Sequence, residues 1–317
     1  MVEFGISMDG RAPVTDIPAQ AKAAEEGGAS TLWIACHLYL RDPITMAALA
    51  LGATRRIKIA LMAMSPYSVH PVFIAMAAAT LDEMYPGRVI LCLGAGAPAD
   101  LEAAGLEAAK PLIGIGETVK ICRALLAGEM ADFQGQMFRV SGRRLANGGR
   151  KVPIVLAASR ARMLKLAGRA SDGVLISAAT SPPFVKACLA EAASSDSNFR
   201  KVGIVYTKLG ATEKEGIDPI RRPIGFVLRG AHHAGNIRLS GAKLDQAALA
   251  TAYAAENWPE VDRLVSDDVV RRHAACGTPE QVRAKLEEYR AIGLDEVVIG
   301  GVDDAPSIAA ALAAVRR

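Results

Sequence analysis

Residues 59–81 read IALMAMSPYSVHPVFIAMAAATL and carry no formal charge. By length alone such a run can cross a bilayer, which takes about 20 apolar residues. Its middle argues otherwise. Pro66, Tyr67, Ser68, His70 and Pro71 divide it, and proline inside a helix removes a hydrogen bond and clashes with the preceding turn. The first part, Lys58–Met64, is short and apolar on both faces, as a strand covered on both sides must be. The second part, 71–84, begins with a proline where the first turn of a helix tolerates one. The stretch therefore reads as strand, loop and helix.

The same unit recurs in both directions. Candidate strands are Glu3–Met8, Thr31–Ala35, Lys58–Met64, Val89–Gly94, Ile154–Ala157, Gly173–Ile176, Lys201–Lys208 and Glu296–Gly300. Helices are expected near 16–28, 42–54, 71–84, 111–127, 160–169, 182–194, 242–255, 278–292 and 305–316. Eight strands joined by helical crossovers predict an α/β fold, a (β/α)8 TIM barrel with insertions, with an open doubly wound sheet as the alternative. The punctuation agrees. Asp42-Pro43 and Thr278-Pro279-Glu280 put a capping residue ahead of a first-turn proline, and Pro86-Gly87 and Gly293 stop helices. Met130 to Gly149 holds a candidate hairpin at 131–138, and Ile217 to Arg272 reads as a helical excursion without a strand. With no linker or repeat beyond this period, residues 1–317 are expected to form a single domain with insertions near 130–149 and 217–272.

The 317 residues are 51% hydrophobic and 22% charged, enough apolar surface for a packed core. Lys+Arg 37 against Asp+Glu 33 leaves +4 without a basic stripe, which argues against a nucleic-acid partner. Cys36, Cys92, Cys122, Cys188 and Cys276 are odd in number and lack CxxC spacing. They predict no disulfide framework and a reducing compartment. The start Met1-Val2-Glu3-Phe4-Gly5 lacks a basic and apolar leader, so a cytoplasmic location is expected, with no membrane partner. His232-His233 are adjacent rather than four apart, and no metal site is expected.

A barrel assembles its site at the C-terminal ends of its strands. Those ends hold Ser7 and Asp9, then Cys36 and His37, then Ala63 to Tyr67, then Gly94, Ala95 and Gly96, then Ala157, Ala158, Ser159, Arg160 and Ala161, then Ser177. Small residues that turn directly into a helix at 157–161 leave backbone N–H groups for an anion such as a cofactor phosphate. An ordinary turn with Ser159 as N-cap explains the spacing as well, and on spacing alone is the better account. Gly94 to Ala99 matches the dinucleotide fingerprint GxGxxA, but Pro98-Ala99-Asp100 interrupts the turn and no acidic residue ends the next strand. A second reading is that these glycines let a flat ring approach the backbone, and a plain tight turn is the third. His37 at a strand end suits either a structural hydrogen bond or a catalytic role.

Taken in order, Phe4-Gly5-Ile6, Trp33-Ile34 with His37, Pro66-Tyr67 with Pro71, Gly87-Arg88, and Leu93-Gly94-Ala95-Gly96 form a pattern across the chain. Val152-Pro153-Ile154 with Met163-Leu164, Asp172 to Ile176, and Gly277-Thr278-Pro279 complete it. The chain resembles the bacterial luciferase-like superfamily of flavin and deazaflavin oxidoreductases, and within it the methylenetetrahydromethanopterin reductase branch. The resemblance implies coenzyme F420 or FMN, a non-proline cis peptide at Ala63-Met64 behind the ring, Leu93 to Ala97 along the ring edge, and the cofactor phosphate at Ala157 to Ala161. It implies that His37 approaches the ring, and that the chain forms a homo-oligomer acting on a small-molecule substrate.

Two positions depart from that pattern. Cys36 stands where an acid precedes the histidine, and Ser7 stands where the reductases carry a glutamate that helps open a methylene bridge. Serine is far too weak an acid for that task. Glu3, Gly5, Ser7 and Asp9 share one strand face, so Asp9 can replace the lost acid or simply cap a loop. The first functional expectation is a hydride-transferring oxidoreductase acting on a methylene-tetrahydropterin or folate through Ser7, Asp9 and His37. An NAD(P)H-dependent, flavin-free reductase using Gly94 to Ala99, and a barrel that binds without turnover, are the alternatives.

Overall fold

The structure, a computed structural model, describes residues 2–316. Its strands in chain order are β1 (Glu3–Met8), β2 (Thr31–Ala35), β3 (Lys58–Met64), β4 (Val89–Leu93), β5 (Ala131–Gln134), β6 (Arg139–Arg143), β7 (Ile154–Ala157), β8 (Gly173–Ile176), β9 (Arg200–Leu209), β10 (Ala274–Gly277) and β11 (Glu296–Gly300). Eight of them form a closed parallel ring, β1-β2-β3-β4-β7-β8-β9-β11. The seam is shut by Gly173↔Arg200, Glu296↔Val202 and Glu3↔Glu296. This is a (β/α)8 barrel, and the open doubly wound alternative is excluded by that closure.

Apolar residues on both strand faces build two cores. In β2, Leu32 and Ile34 face the helix layer, while Trp33 and Ala35 face the barrel axis. Ala60, Ile90, Val155, Leu175, Val202 and Val298 join Trp33 along that axis. Below them a polar plug closes the N-terminal end. Glu296, fully buried, accepts the Trp33 indole N–H at 2.9 Å and an Arg200 guanidinium N–H at 2.9 Å. Burial raises the Glu296 carboxyl above its ordinary value despite both donors.

The helix starts follow the capping residues. Asp42 accepts the Thr45 N–H at 2.7 Å, and Thr278 with Gln281 forms a capping box. Two glutamates tie loops down in the same manner. Glu25 accepts the N–H groups of Arg55, Arg56 and Ile57, and Glu117 accepts those of Gln136, Met137 and Phe138 at the tip of the β5–β6 hairpin.

Several elements differ from the expectation. β4 ends at Leu93, and β9 extends one residue further at each end. The excursion is made of helices Glu213–Leu228, Ala234–Ser240, Gln246–Ala254, Trp258–Leu264 and Asp267–His273. The helix expected over 242–255 is shorter because Asp245 caps it, accepting the Ala248 N–H at 2.9 Å. Pro219 and Pro223 lie inside the helix Glu213–Leu228, which obscures its period. The four-residue β10, which sequence periodicity missed, pairs with the extension of β9 from Tyr206 to Leu209. Among the described residues no helix is long and apolar enough to cross a membrane.

Candidate active site

At the C-terminal rim the inward-facing residues become small. Ala35, Ala63, Ala157 and Ala178 top the inner core, Ser7 shares the inward face of Gly5, and Gly94 and Gly300 carry no side chain. A Cβ on Gly94 would lie 2.9 Å from the Ala63 Cβ and 3.5 Å from the Ala157 Cβ. The backbones of β3, β4 and β7 therefore meet as closely as their smallest side chains permit. The result is a recess with a bulky floor (Met62, Ile90, Leu175 and Ile204) and walls of alanine and glycine.

Hydrogen bonds lace the loops around this recess. The Gly94 N–H donates to the Met64 carbonyl at 3.1 Å, the Ser65 hydroxyl donates to the Ala95 carbonyl at 3.1 Å, and Tyr67 donates its hydroxyl proton to the Ala109 carbonyl at 2.7 Å. A non-proline cis peptide is present, but between Met62 and Ala63 rather than at Ala63-Met64. The β3–β4 register shifts between Leu61 and Met64. That shift moves Met64, 1% exposed, into the helix-facing core. Met64 thus contributes its backbone to the rim, and Ala63 its side chain.

The turn at 157–161 departs from the simplest reading of the sequence. Arg160, not Ser159, is the N-cap of the helix Ala161–Ala170, and no side chain caps it. Its first N–H groups are left for another acceptor at the positive end of the helix dipole. Ala158 is buried, whereas Ser159, Arg160 and Ala161 are accessible, as is Ser177 on the neighbouring β8 loop. Desolvation and the charge of Arg160 hold His232 below its ordinary value, so His232 and Arg160 face the same region. The loop after β8 is held from the excursion. Buried Asn236 donates to the Ala179 carbonyl at 2.7 Å and accepts the Ser181 N–H at 2.9 Å. Ala179 adopts a left-handed φ of 57° there, a conformation that needs such support in a residue with a Cβ.

His37 is solvent-exposed at the mouth. The surrounding protein still desolvates it enough to lower its pKa from the ordinary value, against the opposing charges of Asp100 and Asp9. It is therefore a neutral imidazole at pH 7, able to donate one hydrogen bond and accept another. Asp9 accepts the Arg11 N–H at 2.9 Å and pairs with the Arg11 guanidinium. Cys36 is half-buried, and burial pushes its thiol up to about 11.

Motifs did not reveal Tyr206, Asp303, Arg11 or Asp100, all of which lie at this mouth. Alternation along β9 would have found Tyr206, since Val202 and Ile204 face inward. The GxGxxA stretch opens only a six-residue helix, Pro98–Ala103, and the next barrel strand begins at Ile154. That is not the strand–turn–long helix of a dinucleotide unit. Two cavities lie away from the mouth. One of about 530 Å³ is on the outer surface near Lys186 and Arg272, and one of about 100 Å³ is beneath the barrel near Trp33. Among the described residues no group of three His, Cys, Asp or Glu side chains is arranged to hold a metal.

The small-walled recess and the helix start without a side-chain cap both lie at one rim of the closed ring. The luciferase-like monooxygenase family model matches residues 2–296, and the chain belongs to that family. It is 28% identical over 309 residues to the 5,10-methylenetetrahydromethanopterin reductase of Archaeoglobus fulgidus (94% of this chain, 93% of the relative) and 30% identical over 308 residues to that of Methanolobus tindarius, with the same coverage. The solved coenzyme F420 dependent tetrahydromethanopterin reductase of Methanopyrus kandleri superposes with a TM-score of 0.87 over 99% of this chain and 97% of that one, at 22% identity. An F420-dependent secondary alcohol dehydrogenase superposes with a TM-score of 0.76 at 22% identity, covering 100% of this chain and 99% of that one.

Proposed function

We propose that the protein is an oxidoreductase that passes a hydride between reduced coenzyme F420, with FMN as the alternative, and a small electrophilic carbon. The best substrate is a 5,10-methylene-tetrahydropterin or folate. The observation that carries this reading is the rim of alanine and glycine, where a Cβ on Gly94 would meet the Ala63 Cβ at 2.9 Å and the Ala157 Cβ at 3.5 Å. Ala63, Gly94, Ala95 and Gly96 would hold the flat ring, with the Met64 backbone behind it. Ala157, Ala158, Ser159, Arg160 and Ala161, with Ser177, would hold its phosphorylated tail.

When bound, the cofactor supplies a two-electron hydride donor. The chain's own residues bind, orient and exclude water. The uncapped N–H groups and Arg160 neutralise the anionic tail. The bulky floor would limit how deep a bound ring enters. Neutral His37 offers a hydrogen bond from the β2 side. Ser7 lines the recess without acidic chemistry, and Asp9 with Arg11 charges its edge.

Titration of the protein with F420, FMN and NADPH, followed by fluorescence and absorption, tests the reading. Tight binding of F420 or FMN supports it. Binding of NADPH alone, abolished by Gly96→Asp, would favour a flavin-free reductase, and binding of none of the three would remove the proposal.

A further inference from the structure

The cavity of about 530 Å³ on the outer surface shares no residue with the site at the mouth. Three parts of the fold enclose it. The barrel helices Pro182–Glu191 and Pro279–Ala291 form two walls, and the excursion supplies Ser240 and Arg272. Its volume lies within the range of pockets that hold small molecules, about 300–1,000 Å³.

The charges of its lining are unbalanced. Three cations, Lys186, Arg272 and Lys285, stand against one carboxylate, Glu288. Lys285 pairs with Glu288 at 2.8 Å, but the lysine side chain is 18% exposed and the glutamate 55%. The cation is therefore sheltered while its counter-charge sits in solvent, where salt screens it. Arg272 donates from Nε to Asp268 at 2.7 Å and from Nη1 to the Ser240 carbonyl at 2.6 Å. Among the described residues its Nη2 has no acceptor, and exposed Lys186 has neither an ion pair nor a hydrogen bond. The start of the helix Pro182–Glu191 adds to the positive side. Ser181 stands at its N-cap but spends its hydroxyl on the Asn236 Oδ1 at 3.0 Å, so no side chain caps the helix dipole there.

The remaining lining is apolar, from Pro182, Pro183 and Ile292 together with the lysine stems. These walls are fixed in advance. Ser181 also donates its N–H to Asn236 at 2.9 Å, and Tyr289, next to Glu288, donates its hydroxyl proton to the Thr180 carbonyl at 2.6 Å. Gly241 ends the helix Ala234–Ser240 with a left-handed φ of 69°, and a Cβ there would lie 3.4 Å from the Arg272 Nη1. Walls already held in place lose little freedom when a ligand arrives.

We propose that this cavity binds an organic phosphate, with the phosphate on Lys186 and the free Nη2 of Arg272 and an apolar body on Pro182, Pro183 and Ile292. An ammonium, a guanidinium and a helix start suit a group with several acceptor oxygens. A bare ion leaves the apolar wall uncovered, and a neutral ligand leaves Lys186 without a counter-charge. The site does not depend on which cofactor the mouth takes.

A 1H–15N NMR titration of the apo-protein with phenyl phosphate tests this. Shifts should gather at 181–186, 240–241 and 285–292, apart from any at the 157–161 turn. Lys186→Glu, a change at an exposed position, should weaken this binding about tenfold or more at an unchanged Tm. Arg160→Glu should leave it as in the wild type. Inorganic phosphate, which lacks the body, should bind about tenfold more weakly, and phenol, which lacks the charge, should move none of these signals. Shifts confined to 157–161, or binding that survives Lys186→Glu, would overturn the proposal. Inorganic phosphate binding as tightly as phenyl phosphate would overturn the apolar contact, and phenol binding as tightly would overturn the ionic one. If Lys186→Glu lowers Tm, Lys186→Met, which keeps the stem and removes the charge, decides in its place, and wild-type affinity in it refutes the site.

Discussion

Gly94→Ala is the sharpest test of the recess, because a single methyl group is placed at its narrowest point. The new Cβ would sit 2.9 Å from the Ala63 Cβ and 3.5 Å from the Ala157 Cβ. Ordinary van der Waals contact begins near 3.4 Å. The closer neighbour is a Cβ attached directly to the main chain, so no side-chain rotation relieves it. Strands β3 and β4 must separate by a few tenths of an ångström. Overpacking of this kind costs about 1–3 kcal/mol. At about 2.1 cal/mol/K per residue, each kcal/mol lowers Tm by about 1.5 °C in a chain this long. Scanning calorimetry of the apo-protein should therefore record a drop of about 2–5 °C. The methyl also occupies space assigned to the cofactor ring, where the same strain of about 1–3 kcal/mol weakens binding about 5- to 150-fold. Fluorescence titration with F420 and FMN reads this directly. An unchanged Kd beside a lowered Tm would refute the recess as the ring site, and an unchanged Tm would refute the close approach of the strands.

Other consequences follow from the same geometry. Glu117→Ala strips the acceptor from the N–H groups of Gln136, Met137 and Phe138 and should cost about 1–3 kcal/mol in urea unfolding at pH 7. Burial raises the Glu117 carboxyl, but the hairpin N–H groups outweigh it and depress the folded pKa below 4.5. Its stabilisation is therefore present above pH 4.5 and lost as pH falls through the folded value, a dependence that Glu117→Gln should flatten. Arg200→Met leaves fully buried Glu296 with only the Trp33 donor and should destabilise by about 2–4 kcal/mol in the same assay, less than for a fully sealed pair because Arg200 reaches solvent. The thiols of Cys36 and Cys276 are pushed up to about 11, and those of Cys122 and Cys188 to about 12. Ellman's reagent at pH 8 should react slowly until the protein is unfolded, and a fast equivalent in the native state would contradict this burial.

Legibility in the sequence followed the range of each interaction. Residues 31–35 and 58–64 announced strands because a chain covered on both sides is apolar at every step, a rule internal to five or seven residues. Asp42-Pro43 and Thr278-Pro279 announced helix starts because an N-cap bonds only three residues ahead. Eight such units in series implied the barrel, and the barrel told which strand ends to inspect, so Ser7, Asp9, His37, Gly94 and the 157–161 turn could be placed at the rim in advance.

What the sequence left undecided depends on partners far along the chain. β10 is only four residues long and exists because it pairs with an extension of β9. The side on which Met64 points follows from a register shift against β4, and the cap at Arg160 depends on how β7 leaves the ring. Gln20 fixes Asp303, a residue 283 positions away, and Asn236 clamps the loop at Ala179 from the excursion. Local backbone geometry sets periods of 2 and 3.6 residues, and those periods are written in neighbouring side chains. The composition of the mouth is set by ring closure, which brings together loop residues that no short-range pattern links.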